Sequence, residues 1–378
     1  AKWKVHRKLI MPTFNPRILE SFVEVFAKQS EIMVDQMRVE INGDEFDIFN
    51  YVSLCTLDTI CETAMGVTVK AQTGGDPSYI ESAKIIFEIV FARMCKVWLH
   101  PDFIFNRTHW STKQQECIDY VHGVTNEVIR KKKIKLASEM PKDDDNKRKA
   151  FLDLLMELSK DGAKLTDEEL REEVDTMMIA GNDTTAQVNS FVMFMLANFP
   201  EVQEKCYQEL REIYGEQINS NIPVKKEDLH KMEYLERVIK ETMRLFPVPA
   251  VILRKLTGDV DIGEYVLPKG SSVVLGILKL HRCEKYWENP LEFNPDRFLP
   301  DEIAKRHPYS YIPFSAGPRN CLGLRYAMMA MKVLLSTVLR HYVLKKDKLV
   351  KIEDIKLKAD IMLKPVETIT LKIERRVR

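Results

Sequence analysis

The sequence predicts a mainly α-helical fold with small β-sheets. Apolar residues recur at three- and four-residue spacings through most of the chain, which is typical of amphipathic helices. Residues 259–278 instead alternate in polarity and contain Gly263, Pro268 and Gly270, a pattern that indicates short strands and turns. The tail after residue 342 also looks like strands. Hydrophobic residues make up 45% of the chain and charged residues 30%, as in ordinary globular proteins.

The predicted helices span 17–40, 48–66, 79–99, 111–133, 166–198, 228–246 and 322–341. Thr166 and Glu169 fit a capping box at the start of the longest of them, and Gly181 lies in its middle, where glycine costs about 1 kcal/mol relative to alanine. Residues 131–150 are highly charged and are predicted to form mostly a solvated loop, or alternatively a domain linker. Because helices of the same character resume afterwards, we prefer the loop.

Charge and cysteine usage limit the class of protein. Lys and Arg number 57 against 56 Asp and Glu, so no global basic field exists to gather nucleic acid, and none is expected as a partner. The seven cysteines are odd in number and no pair has C-x-x-C spacing, which favours thiols in a reducing compartment. The longest uncharged run is shorter than a membrane helix, and we expect the chain to be cut at its N-terminus, since it opens at Ala1.

The sharpest motif is the stretch from Phe314 to Gly323, FSAGPRNCLG. It is a Gly- and Pro-containing loop that is expected to deliver Cys321 to the first turn of a helix, where free N–H groups and the helix dipole favour a thiolate. A thiolate is a suitable axial ligand for haem iron, and Gly317 and Gly323 would allow close approach of the backbone to a flat ring. Arg319 could pair with a propionate.

This stretch resembles the F-x-x-G-x-R-x-C-x-G haem loop of cytochromes P450 at every fixed position. The resemblance implies a haem b cofactor, iron protoporphyrin IX, with Cys321 as the axial ligand to the iron. Glu241 and Arg244 resemble the family's E-x-x-R helix motif, and Arg297 lies in a segment similar to P-x-R-F. In the family these three side chains form a buried structural triad.

The long helix carries Ala180-Gly181-Asn182-Asp183-Thr184-Thr185, which is similar to the family's motif on the oxygen-binding face. The resemblance implies that the backbone opens at Gly181 to make room for oxygen and a water. Thr184 would hydrogen-bond that water, and Asp183 would relay protons from solvent. Thr185 is instead expected to bond back to the preceding turn of the helix.

Trp3 and Arg7 resemble the family's W-x-x-x-R, and Arg254 matches a strand arginine, so all three are expected to reach a haem propionate. The resemblance runs along the whole chain in order. It implies one catalytic domain, residues 1–378, with the single large cytochrome P450 fold, lacking the N-terminal membrane anchor and the first helices and strands.

The implied function is a monooxygenase that uses haem, O₂ and electrons from NADPH through a partner, NADPH–cytochrome P450 reductase, with cytochrome b5 as a second candidate partner. The full-length protein is expected at the cytoplasmic face of the endoplasmic reticulum membrane. A haem-thiolate isomerase or dehydratase that needs no O₂, and a non-catalytic fragment, are the alternatives. Asp183 and Thr184 argue against the isomerase, because a reaction without O₂ needs no proton relay to bound oxygen.

The substrate is expected to be a hydrophobic small molecule: a fatty acid, another lipid or a xenobiotic. Apolar candidates for its pocket are Met177, Met178, Val251 and Ile252. The motifs resemble the clan of fatty-acid omega-hydroxylases and their insect relatives. Ala180 departs from that clan, since many members have there a Glu that can esterify a haem methyl, and Cys283 occupies a slot usually filled by Asp or Asn.

Overall fold

The computed structural model describes residues 2–74, 77–138, 150–159, 165–218, 220 and 222–376. As the sequence predicts, it is mainly helical with small antiparallel sheets. The chain divides into two compact units. We call residues 1–236, 322–349 and 368–378 the helical unit, and residues 237–321 and 350–367 the loop-rich unit.

The helical unit contains most of the helices and one three-stranded sheet. Its helices are α1 (Lys2–Ile10), α2 (Pro16–Ser21), α3 (Val23–Gln36), α4 (Ile48–Ile60), α5 (Ser78–Cys95), α6 (Asp102–Phe105), α7 (His109–Ser138), α8 (Phe151–Ser159), α9 (Asp167–Asn198), α10 (Pro200–Tyr214), α11 (Lys226–Leu229) and α15 (Leu324–His341). The sheet is antiparallel with the strand order β1 (Phe46–Asp47), β9 (Thr370–Arg375), β6 (Tyr342–Lys345). None of the described helices is both long enough and apolar enough to cross a membrane.

The core of the helical unit forms where α9 packs on α4 and where α15 packs on α3. Every residue of α9 from Thr185 to Asn198 is buried, polar side chains included. The predicted capping box is present, because Thr166 and Glu169 each bond the other's backbone N–H. Phe26 and Tyr326 join α3 to α15 through an edge-on ring contact of 5.1 Å between centroids.

The loop-rich unit has fewer regular elements. It contains the C-terminal part of α12 (Glu233–Leu245), which begins in the helical unit, and the short helices α13 (Ile277–His281) and α14 (Pro300–Ala304). Its strands pair as two-stranded antiparallel sheets: β2 (Val251–Lys255) with β5 (Ser272–Gly276), β3 (Val260–Asp261) with β4 (Val266–Leu267), and β7 (Leu357–Ala359) with β8 (Leu363–Pro365).

The long segment between α13 and the Cys321 loop is held by aromatic rings and cations. The rings of Phe298 and Tyr311 lie 4.7 Å apart, and the guanidinium of Arg306 lies 4.4 Å from the ring centre of Trp287. These contacts give an irregular segment a core of its own. The carbonyl of Cys283 accepts the N–H groups of the residues at 286 and 287 in a turn, a role that requires no particular side chain.

Helix α7 is longer than predicted. It continues past residue 133 to Ser138, so that the first part of the expected loop is helical. Within this helix the side chain of Lys132 is buried, and its Nζ lies 2.7 Å from a carboxylate oxygen of Asp153 in α8. The rest of that expected loop, residues 139–149, lies outside the described residues. Conversely, the helix expected over 79–99 ends at Cys95. The single domain over 1–378 stays a prediction.

Candidate functional site

The Cys321 loop closes on itself through backbone hydrogen bonds. The N–H of Cys321 donates to the carbonyl of Phe314 at 2.9 Å, and the N–H of Asn320 donates to the carbonyl of Gly317 at 3.1 Å. Ser315 and Gly317 have positive φ angles of 61° and 77°, which turn the chain sharply between these bonds. The loop, which includes a short 3-10 helix over Gly317–Arg319, therefore holds its cysteine in a defined place.

Cys321 is exposed and forms no disulfide with any described cysteine. The expected placement in the first turn of a helix is wrong, because α15 begins only at Leu324, after an N-cap at Gly323. The turn at Leu322 and Gly323 separates the cysteine from the helix. The thiol therefore lies on the loop itself, open to a ligand.

The surroundings of Cys321 within the loop-rich unit fit a haem. A Cβ at Gly317 would meet no described heavy atom within 4 Å, so the backbone there is open to close approach. The hairpin of β2 and β5 exposes large apolar side chains, with Leu253 46% and its cross-strand partner Val274 60% accessible. Such exposed apolar surface usually marks a binding site. This hairpin contacts the Cys321 loop through Arg254 and Ser315, and a thiol on that loop is the donor that an iron-containing ring requires.

Arg254 is brought to the same loop. From strand β2 its Nη2 donates to Oγ of Ser315 at 3.4 Å, and its Nη1 donates to the carbonyl of Leu253 at 2.9 Å. The guanidinium is half-buried, and it supplies a cation within the unit that carries Cys321. Ser315 was missed by the sequence reasoning, and no sequence signal reveals its positive φ or its contact with Arg254.

Helix α9 presents two different faces around the predicted oxygen-binding motif. Asn182 is buried against α4, where its Oδ1 accepts a hydrogen bond from Oγ1 of Thr56 at 2.7 Å. Ala180 is exposed and Thr184 is partly exposed, and these two residues lie one above the other on another face. Asp183 is partly buried. Small and polar side chains on an open face provide room and hydrogen bonds for a ligand.

The role expected for Gly181 needs correction, because α9 is a continuous α-helix that does not open there. A Cβ at Gly181 would lie 2.6 Å from Cδ1 of Ile60, so the glycine lets α9 approach α4 closely. The back-bond expected of Thr185 is made by Thr184, whose Oγ1 donates to the carbonyl of Ala180 at 2.6 Å. The oxygen of Thr184 consequently keeps its lone pairs as acceptors.

Trp3 and Arg7 lie one turn apart on α1, with the Arg7 guanidinium 6.0 Å from the Trp3 ring centre. Both are partly exposed. Their helix is tied to the N-terminal half of α9, because Nδ1 of His6 and a carboxylate oxygen of Glu173 are 2.7 Å apart. His6 is buried and was missed by the sequence reasoning, although its place within the W-x-x-x-R stretch could have drawn attention to it.

Glu241 and Arg244 are buried together, as predicted, and the side chain of Arg297 beside them is 12% accessible. Glu241 and Arg244 are fully buried and make two parallel bonds of 2.7 and 2.8 Å. Nε of Arg297 lies 3.5 Å from Oε1 of Glu241, which also accepts the N–H of Asn294 at 3.0 Å. The bidentate pair in a buried site fixes the geometry of this part of the chain. The triad supports the segment that leads to Cys321.

Comparison with known proteins decides the family. The family model described as "Cytochrome P450" matches residues 1–372. The chain belongs to the cytochrome P450 family. It is similar to cytochrome P450 4c3 of Drosophila melanogaster, at 40% identity over 99% of this chain and 72% of the relative. It is 41% identical to cytochrome P450 4c21 of Blattella germanica, over 100% and 75%, and 39% identical to human cytochrome P450 4V2, over 99% and 72%.

Membership makes this protein a cytochrome P450 monooxygenase, an oxidoreductase with a haem cofactor. In this cytochrome P450 the loop-rich unit carries Cys321, Phe314, Gly317, Arg319 and Arg254. The helical unit carries the remaining predicted site residues, in the order Trp3, Arg7, Ala180, Gly181, Asp183, Thr184 and Gly323. Of the apolar pocket candidates, Met178 is fully buried and faces a separate cavity between α4, α5, α7 and α9.

Proposed function

We propose that this cytochrome P450 inserts one oxygen atom from O₂ into a fatty acid, another lipid or a hydrophobic xenobiotic. Electrons would come from NADPH through NADPH–cytochrome P450 reductase, with cytochrome b5 as a second donor. The full-length protein would act at the cytoplasmic face of the endoplasmic reticulum membrane. The observation that carries the proposal is the closed loop that exposes Cys321 in the loop-rich unit, with Arg254 bonded to Ser315 of the same loop.

In this proposal Cys321 would hold the haem through its sulfur. A bound haem supplies the chemistry that activates O₂, which protein side chains alone do not provide. The loop fixed by the bond from Cys321 N–H to Phe314 O would orient the sulfur. Gly317 and Gly323 have no side chains and would keep bulk away from the ring. Four cationic or N–H-bearing side chains would bind the propionates: Trp3, Arg7, Arg254 and Arg319.

Thr184 and Asp183 would hold a water and transfer protons to it. Because the hydroxyl hydrogen of Thr184 is donated to the carbonyl of Ala180, its oxygen is left to accept a hydrogen bond from a water. The carboxylate of Asp183, partly buried one residue earlier, would pass protons from solvent to that water. Ala180 and Gly181 add little bulk, and the alanine at 180 offers no carboxylate for an ester to the haem.

The first experiment tests the ligand. Cys321→Ala should abolish the absorption band near 450 nm that a thiolate-bound, reduced and carbon monoxide-treated haem gives in this family. The matched control is Cys283→Ala, since Cys283 is also partly exposed and lies in the loop-rich unit but outside the loop. An unchanged spectrum for Cys321→Ala would exclude Cys321 as the ligand.

The second experiment tests the proton role and the class of reaction. A positioned proton donor contributes about 10²–10⁴-fold, so Thr184→Ala should consume NADPH with reductase but form little product and release hydrogen peroxide. Haem content and iron reduction should remain. Thr176→Ala, an exposed threonine two turns earlier on α9, is the control. Wild-type coupling in Thr184→Ala would remove Thr184 from the mechanism, and turnover of substrate without O₂ would favour an isomerase.

A further inference from the structure

A partly open cavity of about 530 Å³ lies in the helical unit, between α4, α5, α7 and α9. Its wall is mostly apolar, with Leu57, Cys61, Val124 and Val128 among the lining residues. Met178 lines it from α9. Since Met178 and Thr184 are six residues apart, about 240° around the helix at roughly 100° per residue, the cavity is on a different side of α9 from Thr184. Its volume is in the range of small-molecule sites.

Tyr79 gives this apolar cavity a polar group. Its side chain lines the cavity from α5 and is 2% accessible, and its hydroxyl oxygen has no hydrogen-bond partner among the described residues. Buried hydroxyl groups in folded proteins are normally hydrogen-bonded, because leaving one unpaired costs free energy. A ligand oxygen in the cavity would satisfy it.

The wall is also shaped to leave space. Gly123 lines the cavity in the interior of α7, where glycine weakens a helix, and a Cβ there would meet no described atom within 4 Å. Elsewhere in the wall, α4 continues into a π-helical turn over Cys61–Met65, and Cys61 lines the cavity. Turns of this kind occur frequently at functional sites. The glycine leaves this space free at the expense of helix stability.

The charges around the cavity favour a neutral ligand. Lys131 is the one cation among its described lining residues, and its Nζ lies 3.8 Å from a carboxylate oxygen of Glu127, which also lines the cavity. Asp119 adds a further carboxylate. Burial raises the pKa of Tyr79 well above its usual value, and the nearby Asp175 carboxylate acts in the same direction. The tyrosine therefore stays protonated and donates, while an anionic head group would meet net negative charge.

We propose that this cavity binds a neutral, largely apolar molecule with one hydrogen-bond acceptor, such as a long-chain alcohol, ketone or ester, whose oxygen accepts from Tyr79. The site is separate from the oxidation proposed above and needs neither NADPH nor O₂. A long-chain carboxylate is excluded as the preferred occupant, because the cavity offers its head group a tyrosine but no unengaged described cation.

The test uses the haem-loaded full-length protein and compares 1-dodecanol, dodecane and dodecanoate in equilibrium dialysis, with the haem absorption band recorded in parallel. The wild type should bind dodecanol at a site whose filling leaves the haem band unchanged. Tyr79→Phe keeps the shape of the cavity, and it should weaken dodecanol binding about five- to tenfold, the worth of one hydrogen bond, while dodecane binding stays the same.

Gly123→Trp should fill the cavity and remove this dodecanol site, with Gly123→Ala as the matched control that leaves it intact. The carbon monoxide spectrum and substrate turnover should be unchanged in Tyr79→Phe, which separates this proposal from the proposed function. Equal weakening of dodecanol and dodecane in Tyr79→Phe would overturn the proposal. So would wild-type binding of dodecanoate as tight as that of dodecanol, or full dodecanol stoichiometry in a folded Gly123→Trp.

Discussion

In the helical unit the fourteen buried residues from Thr185 to Asn198 belong to one continuous helix, whereas the loop-rich unit buries backbone that has no regular structure. A helix satisfies its own N–H and C=O groups, so its neighbours can be apolar. In the loop-rich unit Arg244 instead donates to three carbonyls, those of His281, Pro290 and Glu292, at 2.7–3.0 Å. A chain segment without regular structure can be buried only if hydrogen-bond donors are buried with it to bond its carbonyl groups.

This difference predicts that removal of a buried charge destabilises the loop-rich unit. It also predicts that added side-chain bulk between packed helices destabilises the helical unit. The buried Glu241 carboxylate holds Arg244 in place, and Arg244 in turn supports the chain that precedes the Cys321 loop. Stability of the two units should therefore respond to different substitutions, and the following three predictions test that, from the largest expected effect to the smallest.

Glu241→Ala should have the largest effect, a loss of about 3–5 kcal/mol in the free energy of unfolding, because it leaves the buried Arg244 unpaired. The protein should express with little haem or not at all. Glu292→Ala is the control, since its carboxylate also pairs with Arg297, at 3.3 Å, but is 54% accessible; that change should cost about 1 kcal/mol or less. Full haem content and normal melting of Glu241→Ala would contradict the structural role of the triad.

Acid should also weaken the loop-rich unit. Burial lowers the pKa of His281 from 6.5 to about 4, and its Nε2 accepts the N–H of Ile312 at 2.9 Å. Below pH 6.5 His281 takes up a proton in the unfolded chain, whereas in the folded protein it stays neutral until the pH approaches 4. The contribution of His281 to the free energy of unfolding should therefore be complete above pH 6.5. As the pH drops to 4, the free energy of unfolding should fall by about 3 kcal/mol.

Denaturant unfolding between pH 7 and 4 measures this effect. His281→Gln, whose amide oxygen can still accept the N–H of Ile312, should flatten the curve over that range. His230→Gln in the helical unit should leave it as in the wild type, because His230 is exposed. If both variants gave the same slope as the wild type, His281 would not be the group responsible.

Gly181→Ala tests the helical unit. The new Cβ would lie 2.6 Å from Cδ1 of Ile60, and overpacking of this kind costs about 1–3 kcal/mol. Adding Ile60→Val, which removes that Cδ1, should recover part of the loss. Gly123→Ala in α7 is the matched comparison, and there the free energy of unfolding should rise by about 0.5–1 kcal/mol, since a Cβ meets open space. Equal effects of the two alanines would show that packing against α4 does not restrict Gly181.

Much of the fold was predictable because its signals are local. The capping box at Thr166 and Glu169, the pairing of Glu241 with Arg244, and the turn of helix that joins Trp3 to Arg7 all follow from three- and four-residue spacing on one helix. The contact of Lys132 in α7 with Asp153 was not predictable, since Asp153 lies in another helix. The roles assigned to the haem-binding and proton-relay residues stay predictions.

The sequence by itself determined the fold class, the family and the candidate ligand, since a ten-residue loop pattern and helical periodicity are properties of neighbouring residues. Only the tertiary structure decided that Gly181 serves the packing of α9 on α4, that Cys321 precedes its helix, and that Met178 faces a cavity with Tyr79. The physical reason is that periodicity fixes which residues share a face. What that face meets depends on elements far away in the chain.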